Sequence, residues 1–169
     1  MTDLEFLSNI IEEKQDLFID ISDKIWGYAE LPYEEFKSSK LLCDTLEAEG
    51  FKIEKDVAKM PTAFTATFGS GSPVFGFLGE YDALDILSQE AGSPVKKSIK
   101  EGAPGHGCGH NALGVGSLAA AIAVKEYLLE SKKSGTVIYF GCPAEEGAGS
   151  KQFMARAGVC DNVDFVYTW

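Results

Sequence analysis

The sequence predicts a three-layer α/β/α sandwich with a mixed β-sheet, formed as a single domain by residues 1–169. The first observation behind this prediction is the order of the elements: two amphipathic helical segments come first, and strand-like runs then interleave with helices. The second is that polar motifs follow several of the predicted strands. In open α/β sheets, ligands bind outside the carboxyl ends of the strands, so the same pattern predicts where the site lies.

Residues 3–28 are predicted to form one long amphipathic helix, because apolar residues recur there at three- and four-residue spacing. Thr2 or Asp3 can cap its amino terminus. The face expected to be buried comprises Leu4, Leu7, Ile10, Ile11, Leu17, Phe18, Ile21 and Ile25.

A second helix is predicted over residues 33–49, after the Leu31-Pro32 break, and Gly50 is expected to end it. Its Glu34-Glu35 pair is expected on the solvated surface. The residues expected to face inward are Phe36, Leu41, Leu42 and Leu46.

Three strands are predicted next, at residues 51–55, 62–68 and 74–78. The first alternates apolar and polar residues, which is typical of a half-buried strand. The third is nearly all apolar, as in a central strand that is covered on both faces. It runs into Gly79-Glu80-Tyr81-Asp82, which places acidic side chains at the carboxyl end of the strand.

A long loop is predicted over residues 83–107, and a loop of this length in a compact domain is usually functional or disordered. An alanine-rich helix is expected to follow over residues 111–131 and to pack closely against the sheet. The remaining predicted elements are a strand at 135–140, a short helix at 150–157 and a last strand at 163–169.

Composition argues against several classes of partner. The formal net charge of −11 argues against nucleic acid and against anionic membrane surfaces. The amino terminus lacks the pattern of a secretory signal, and the apolar stretch 113–124 is expected to be too short and too glycine-rich to cross a bilayer. A cytoplasmic location is therefore expected, with the four cysteines reduced and with Cys43 and Cys160 buried.

The most informative stretch is Gly-His-Gly-Cys-Gly-His-Asn at residues 105–111, which holds the only two histidines of the chain, His106 and His110, on either side of Cys108. Cysteine and histidine are the ligands that zinc and neighbouring divalent metals prefer. The intervening glycines let the backbone turn alternate side chains towards one point. The motif therefore predicts a metal site, and the alternative is a flexible glycine loop with an isolated thiol.

A pair of carboxylates, Glu145 and Glu146, follows the fourth predicted strand in a glycine-bounded turn. Neighbouring side chains of an extended segment point in opposite directions, so one can bind a metal while the other faces a bound water. Metal-assisted hydrolysis needs this division, because a carboxylate must remove a proton from water beside the ion. The alternative is an exposed turn with two solvated glutamates.

Asp82 is predicted either to bind the metal or to accept a hydrogen bond from a metal-bound imidazole, and the alternative is an aspartate that starts a turn. Cys142 is expected to pack in the core. A second mechanism is a nucleophilic pair of Cys108 with His106 or His110. It leaves the two glutamates unexplained and therefore ranks below metal-assisted hydrolysis.

The motifs His-Gly-Cys-Gly-His-Asn and Cys-Pro-Ala-Glu-Glu-Gly together resemble those of the zinc aminoacylase and carboxypeptidase-like metallopeptidase superfamily. The sequence is most similar to its amidohydrolase branch, which includes aminobenzoyl-glutamate hydrolases and indoleacetyl-amino-acid hydrolases. The resemblance implies that Cys108, His110 and Glu146 are metal ligands and that Glu145 is the general base. It also implies that His106 is a neighbour of the site and that Asp82 is the aspartate of the family's strand-end motif.

The resemblance further implies cleavage of the amide bond of an N-acyl or aminobenzoyl amino acid, or of a short peptide, by water activated on Zn²⁺, Mn²⁺ or Co²⁺. Two ions are expected for a complete enzyme. A homo-oligomer is expected for this chain on a separate ground, because the faces of the final apolar run, residues 165–169, should stay partly uncovered. The family carries further histidine ligands downstream, the first after a Trp like Trp169, and also a lid domain. The chain is therefore expected to be the amino-terminal part of the catalytic domain and to be inactive alone. The alternative is an incomplete fragment or metal-binding remnant that needs a partner chain.

One departure concerns Asn111, which stands where many relatives have Asp. It resembles the aminobenzoyl-glutamate side of the branch.

Overall fold

The computed structural model describes residues 1–168, so Trp169, the last residue of the predicted strand 163–169, lies outside the described part. Five helices and five strands are found in this part, together with one 3-10 turn at Val57–Lys59. The helices are α1 (Asp3–Glu13), α2 (Gln15–Tyr28), α3 (Phe36–Ala48), α4 (His110–Ser131) and α5 (Ser150–Arg156). The strands are β1 (Lys52–Lys55), β2 (Phe64–Ser70), β3 (Val74–Glu80), β4 (Gly135–Cys142) and β5 (Phe165–Tyr167).

The five strands form one mixed sheet in the order β1-β2-β4-β3-β5. Strand β2 is antiparallel to both β1 and β4, whereas β3 is parallel to both β4 and β5. The predicted mixed α/β sheet is thus confirmed. The register pairs Glu80 with Cys142, so β3 and β4 end side by side at one edge of the sheet.

Most helices lie on one face of the sheet, where α2, α3 and α4 form the main core with β2, β3 and β4. Alternate residues of β4 divide between the two faces: Val137 and Tyr139 join this core, and Phe140 and Cys142 join a smaller one. The smaller core also contains Met154 of α5 and residues of the 3-10 turn. The second helical layer is therefore thin in the described part of the chain.

Helix α4 is the central helix of the fold, with Leu118 and Ile122 fully buried. Among the described residues it is the one helix that is long and apolar enough, by length and composition alone, to cross a membrane. The expectation that this stretch is too short is therefore wrong, because the helix has 22 residues. However, 56% of its most apolar window is buried inside the protein, and the core helix of a soluble protein passes the same test. This criterion alone is weak evidence for a membrane span.

The predicted single helix over residues 3–28 is wrong, because the chain leaves helical geometry at Lys14 (φ −104°, ψ 10°). Thr2 does cap α1, in a capping box with Glu5. The stripe of less exposed residues nevertheless continues across the break, because positions 7, 10, 14, 18, 21 and 25 keep three- and four-residue spacing. The Phe18 N–H also still donates to the Lys14 carbonyl over 3.2 Å. Leu4 is 74% exposed, whereas Ile21 and Ile25 of α2 are buried.

The expected orientation of the second helix also needs correction. Phe36, expected to face inward, is 59% exposed, whereas Glu35, expected on the surface, is completely buried. The connection before α3 passes through left-handed backbone conformations at Ala29 and Tyr33, so helical periodicity does not extend back to residue 33.

All four cysteines are free thiols. Cys43 and Cys142 are buried as expected, but Cys160, also expected to be buried, is only half-buried.

Candidate metal centre and active site

The candidate site lies at the carboxyl ends of β3 and β4, where the sequence pattern predicts it. The end of β3 provides Glu80 and Asp82, and the segment after β4 provides Glu145 and Glu146. The loop before α4 and the first turn of that helix provide Cys108 and His110. Three separate stretches of the chain therefore meet at this edge.

Gly114 allows the first turns of α4 to approach this edge. A Cβ atom at position 114 would lie 2.1 Å from the carbonyl oxygen of Glu80, which is far inside a van der Waals contact. A side chain at this position would therefore push the amino-terminal part of α4, which carries His110, away from β3.

His110 is the centre of the site and is 1% exposed. Its Nδ1 lies 2.9 Å from the Asp82 carboxylate, and its Nε2 lies 3.0 Å from Glu80 Oε2. The carboxylates of Glu145 and Glu146 are 3.7 Å and 3.8 Å from the same Nε2. One imidazole is therefore surrounded by four carboxylates.

The electrostatics of the cluster favour a cation at its centre. Burial alone would lower the pKa of His110, but the hydrogen bonds to Asp82 and Glu80 outweigh it and raise the pKa to about 11. Burial also opposes ionisation of Asp82 and Glu80, yet their contacts with His110 hold the pKa of each carboxyl below its usual value. Lys151 forms an ion pair with Glu80 and adds a second positive charge.

The predicted ligands converge in the structure: they are Cys108, His110 and Glu146. Each offers one ligand atom, and these three atoms all lie within 4.8 Å of one another. A second group with the same spacing consists of Glu80, His110 and Glu145. Among the described residues, Glu146 Oε1 is buried and has no hydrogen-bond partner. Such an oxygen is costly unless something satisfies it, and a divalent cation would do so. The thiol, imidazole and carboxylate donors thus fit a zinc-type ion.

The two glutamates lie in residues 144–148, the glutamate segment, and the backbone of this segment donates hydrogen bonds to two carboxylates. The Glu146 N–H donates to Asp82 Oδ2 over 2.9 Å. The Ala144 N–H donates to Glu35 Oε1 over 2.7 Å. Asp82 therefore contacts both His110 and the glutamate segment, which is the supporting role that the sequence left open beside direct metal binding.

Sequence reasoning missed Glu80 and Glu35 as site residues. Glu80 had a usable signal, because residues two apart in an extended strand point to the same side, and Asp82 was already a candidate. No comparable signal marks Glu35. Its burial arises from the irregular connection between α2 and α3.

His106 lies beside the site but belongs to neither group of candidate ligands in the described residues. It is 5% exposed, its Nε2–H donates to the Ile25 carbonyl over 3.0 Å, and its ring lies 6.3 Å from that of Trp26. Burial lowers its pKa, which favours the neutral imidazole. The structure therefore places His106 as a neighbour that packs against the end of α2.

The alternative nucleophilic Cys–His pair is not favoured by this geometry. Burial and the nearby Glu146 raise the pKa of the Cys108 thiol, which opposes formation of the reactive thiolate. Both ring nitrogens of His110 already contact carboxylates, and His106 donates to a backbone carbonyl. His110 is therefore not free to act as a base for the thiol, whereas Nδ1 of His106 is buried and has no hydrogen-bond partner among the described residues.

Comparison with known proteins places these motifs in a family. Residues 76–169 match peptidase family M20/M25/M40. The chain is 48% identical over 164 residues to a p-aminobenzoyl-glutamate hydrolase subunit of Escherichia coli (strain K12), a match that covers 97% of the chain and 34% of that protein. It is 33% identical over 171 residues to thermostable carboxypeptidase 1 of Saccharolobus solfataricus, which covers 97% of the chain and 41% of that protein.

A solved structure shares the fold. A dinuclear metal binding peptidase from the M20 family of Bacillus subtilis superposes with a TM-score of 0.77 at 24% identity, over 93% of the chain and 43% of that structure. The chain thus spans between a third and a half of the length of the proteins that it matches.

Proposed function

The chain belongs to peptidase family M20/M25/M40, and on this basis we propose that it carries the metal-binding core of an amidohydrolase that cleaves the amide bond of an N-acyl or aminobenzoyl amino acid. The observation that carries the proposal is the convergence of Cys108, His110 and Glu146 beside Glu145, where Glu146 Oε1 is buried and accepts no hydrogen bond. The substrate class is supported by the 48% identity to a p-aminobenzoyl-glutamate hydrolase subunit.

Cys108, His110 and Glu146 would hold the metal. The thiol and imidazole favour Zn²⁺, and the carboxylates admit Mn²⁺ or Co²⁺. When bound, such an ion supplies Lewis acidity at the scissile carbonyl and lowers the pKa of water. A second ion is proposed as well, because a structural relative is a dinuclear metal binding peptidase.

Glu145 is proposed as the general base. Its side chain is 38% exposed, so its carboxylate is accessible to water and substrate, yet one oxygen lies 3.7 Å from His110 Nε2. It would remove a proton from the attacking water and return it to the amine that leaves. Asp82 would accept the Nδ1–H hydrogen bond of His110, which fixes the ring and leaves Nε2 directed at the cluster.

An alternative is that the 169 residues are a catalytically incomplete metal-binding unit. The supporting observation is that His106 and His110 are the only histidines, and both lie in the same loop-to-helix motif. Such a unit would need ligands from a further polypeptide before it could complete a two-metal site.

We also propose a location in the cytoplasm, where cysteines stay reduced, because all four cysteines are free thiols. A further proposal is that the chain forms a homo-oligomer through β5. Phe165, Val166 and Tyr167 are each about half exposed, and β5 is an edge strand of the sheet in the described residues. Exposed apolar edges favour strand-to-strand association. Sedimentation analysis should detect self-association that Val166→Lys reduces and that Phe153→Lys, at an equally exposed position on α5, leaves unchanged.

The function is tested by anaerobic titration of the purified chain with Co²⁺, followed by assays on aminobenzoyl-glutamate and a panel of N-acyl amino acids. A cobalt–thiolate absorption band that Cys108→Ser removes is expected. Because the chain is expected to be inactive alone, saturable binding without turnover is the expected result, and metal-dependent turnover would show that the residues present suffice for catalysis. If neither the band nor saturable binding is seen, the proposed metal centre is wrong.

A further inference from the structure

Glu35 is a buried carboxylate outside the metal cluster. It is 0% exposed, and each of its partners is a hydrogen-bond donor. Oε1 accepts from the Tyr33 N–H over 2.9 Å and from the Ala144 N–H over 2.7 Å. Oε2 accepts from the Thr62 hydroxyl over 2.9 Å. One side chain therefore joins the connection before α3, the stretch that precedes β2 and the segment that follows β4.

Tyr33 makes a second contact with the same segment. Its hydroxyl donates to the Ala148 carbonyl over 3.2 Å. Residues 33–35 thus hold the glutamate segment at both of its ends, at Ala144 and at Ala148. Asp82 holds the middle through the Glu146 N–H.

The glutamate segment needs such support, because its backbone is irregular. Ala144 has φ 51°, a left-handed conformation that residues with a Cβ atom rarely adopt. Gly147 and Gly149 also have positive φ and no side chain to anchor them. Strained conformations persist only where the surrounding structure holds them.

We propose that Glu35 and Tyr33 form a clamp that positions Glu145 and Glu146 for proton transfer and metal binding. The clamp rests on the function proposed above. Both members are positioning residues, since their contacts are with the backbone of the segment and not with the ligand atoms. Glu35 acts as an acceptor of three hydrogen bonds.

This acceptor role makes a specific prediction for the conservative variant. In Glu35→Gln, the amide oxygen can still accept hydrogen bonds from the Tyr33 and Ala144 N–H groups. The amide nitrogen can donate to the Thr62 hydroxyl, because a hydroxyl oxygen can also accept a hydrogen bond. Glu35→Ala leaves all three donors without this partner. Gln should therefore rescue the clamp, and Ala should open it.

The clamp is tested first by amide hydrogen exchange on the metal-free chain. In Glu35→Ala, exchange at residues 144–148 should be roughly tenfold to a hundredfold faster relative to the core strands, as expected when buried donors lose their partner. Glu35→Gln should stay near wild type. Tyr33→Phe, which removes a single hydroxyl, should accelerate the same residues to a smaller extent.

Lys125→Met is the matched control. Lys125 is 5% exposed and pairs with Glu49, so its loss also destabilises the core. It lies 15 residues along α4 from His110, roughly 22 Å at the rise of an α-helix. If exchange in Glu35→Ala rises uniformly, as in Lys125→Met, the clamp is overturned. If Glu35→Ala fails to fold, unchanged exchange at residues 144–148 in Tyr33→Phe overturns it.

Co²⁺ titration then connects the clamp to the site. Glu35→Ala should weaken Co²⁺ binding by roughly 10- to 100-fold, the usual effect of losing a group that supports metal ligands. Affinity in Lys125→Met should remain that of wild type. If the wild-type chain shows neither a thiolate band nor saturable Co²⁺ binding, the proposed metal centre is wrong, but the exchange data still decide whether the clamp exists.

Discussion

The Asp82 carboxylate lies 2.9 Å from His110 Nδ1 and fixes the orientation of that ring. Its second oxygen accepts the Glu146 N–H, also over 2.9 Å. A single carboxylate thus aligns two of the proposed ligands, one from the start of α4 and one from the segment after β4.

Asp82→Asn should therefore weaken metal binding. Asparagine offers one acceptor oxygen, so its amide group must face either the His110 Nδ1–H or the Glu146 N–H, both of which are donors. The expected loss of Co²⁺ or Zn²⁺ affinity is roughly 10- to 100-fold, measured by competition with a chelator. Asp85→Asn, which changes the same group at an exposed position of the following loop, is the control. Equal affinities in both variants would contradict the aligning role.

Glu145 and Glu146 should separate metal binding from proton transfer. In a catalytically competent form of the enzyme, Glu145→Gln should keep its metal while turnover falls by roughly a hundred- to ten-thousand-fold, the usual contribution of a general base. Glu146→Gln should instead lower metal occupancy, because Glu146 provides a buried oxygen of the cluster that accepts no hydrogen bond. Metal analysis and kinetics on the same preparations distinguish the two roles. Equal metal loss in both variants would mean that the assignment is wrong.

The buried Glu35 carboxyl should make stability depend on pH. Burial raises its pKa above the usual value of 4.5, and its hydrogen bonds oppose this only in part. Because the folded state then holds the proton more tightly than the unfolded state, the contribution of Glu35 falls as pH rises from the unfolded pKa through the raised folded pKa.

Glu35→Gln removes this titration, so its free energy of unfolding relative to wild type should rise with pH across that window. Urea unfolding of the metal-free chain between pH 4 and neutrality measures the difference. Glu34→Gln removes the same charge from an exposed neighbouring position. A pH dependence of equal size in Glu34→Gln would contradict the prediction.

The order of elements and the location of the site could be predicted from the sequence, because both depend on local patterns. Strand β4 shows this well, since its apolar run predicts burial and the acidic motif after it predicts the site. The convergence of Cys108 with Glu146 followed from the rule that parallel strands end at one edge.

The burial of Glu35 and the break at Lys14 could not be predicted in this way. Glu35 follows an irregular connection, where helical periodicity carries no information. The periodicity of burial continues through Lys14 and therefore does not mark the break there. Glu35 is buried because donors distant in sequence, at Thr62 and Ala144, converge on it. Only the tertiary structure brings these donors together.

The last prediction concerns the close approach of α4 to β3. A Cβ atom at position 114 would lie 2.1 Å from the Glu80 carbonyl oxygen, which is backbone and cannot rotate away. Gly114→Ala should therefore displace the start of α4 and destabilise the fold by about 1–3 kcal/mol, as overpacking does. Because His110 lies one helical turn earlier, metal affinity should fall as well.

Gly27→Ala is the matched control, since a Cβ atom at position 27 of α2 meets nothing within 4 Å. Alanine favours helix over glycine, so this change should stabilise the chain by roughly 0.5–1 kcal/mol. Urea unfolding and Co²⁺ titration of both variants measure the two effects. If Gly114→Ala is as stable as wild type and binds Co²⁺ equally well, then α4 does not depend on this contact to place His110 against Asp82 and Glu80.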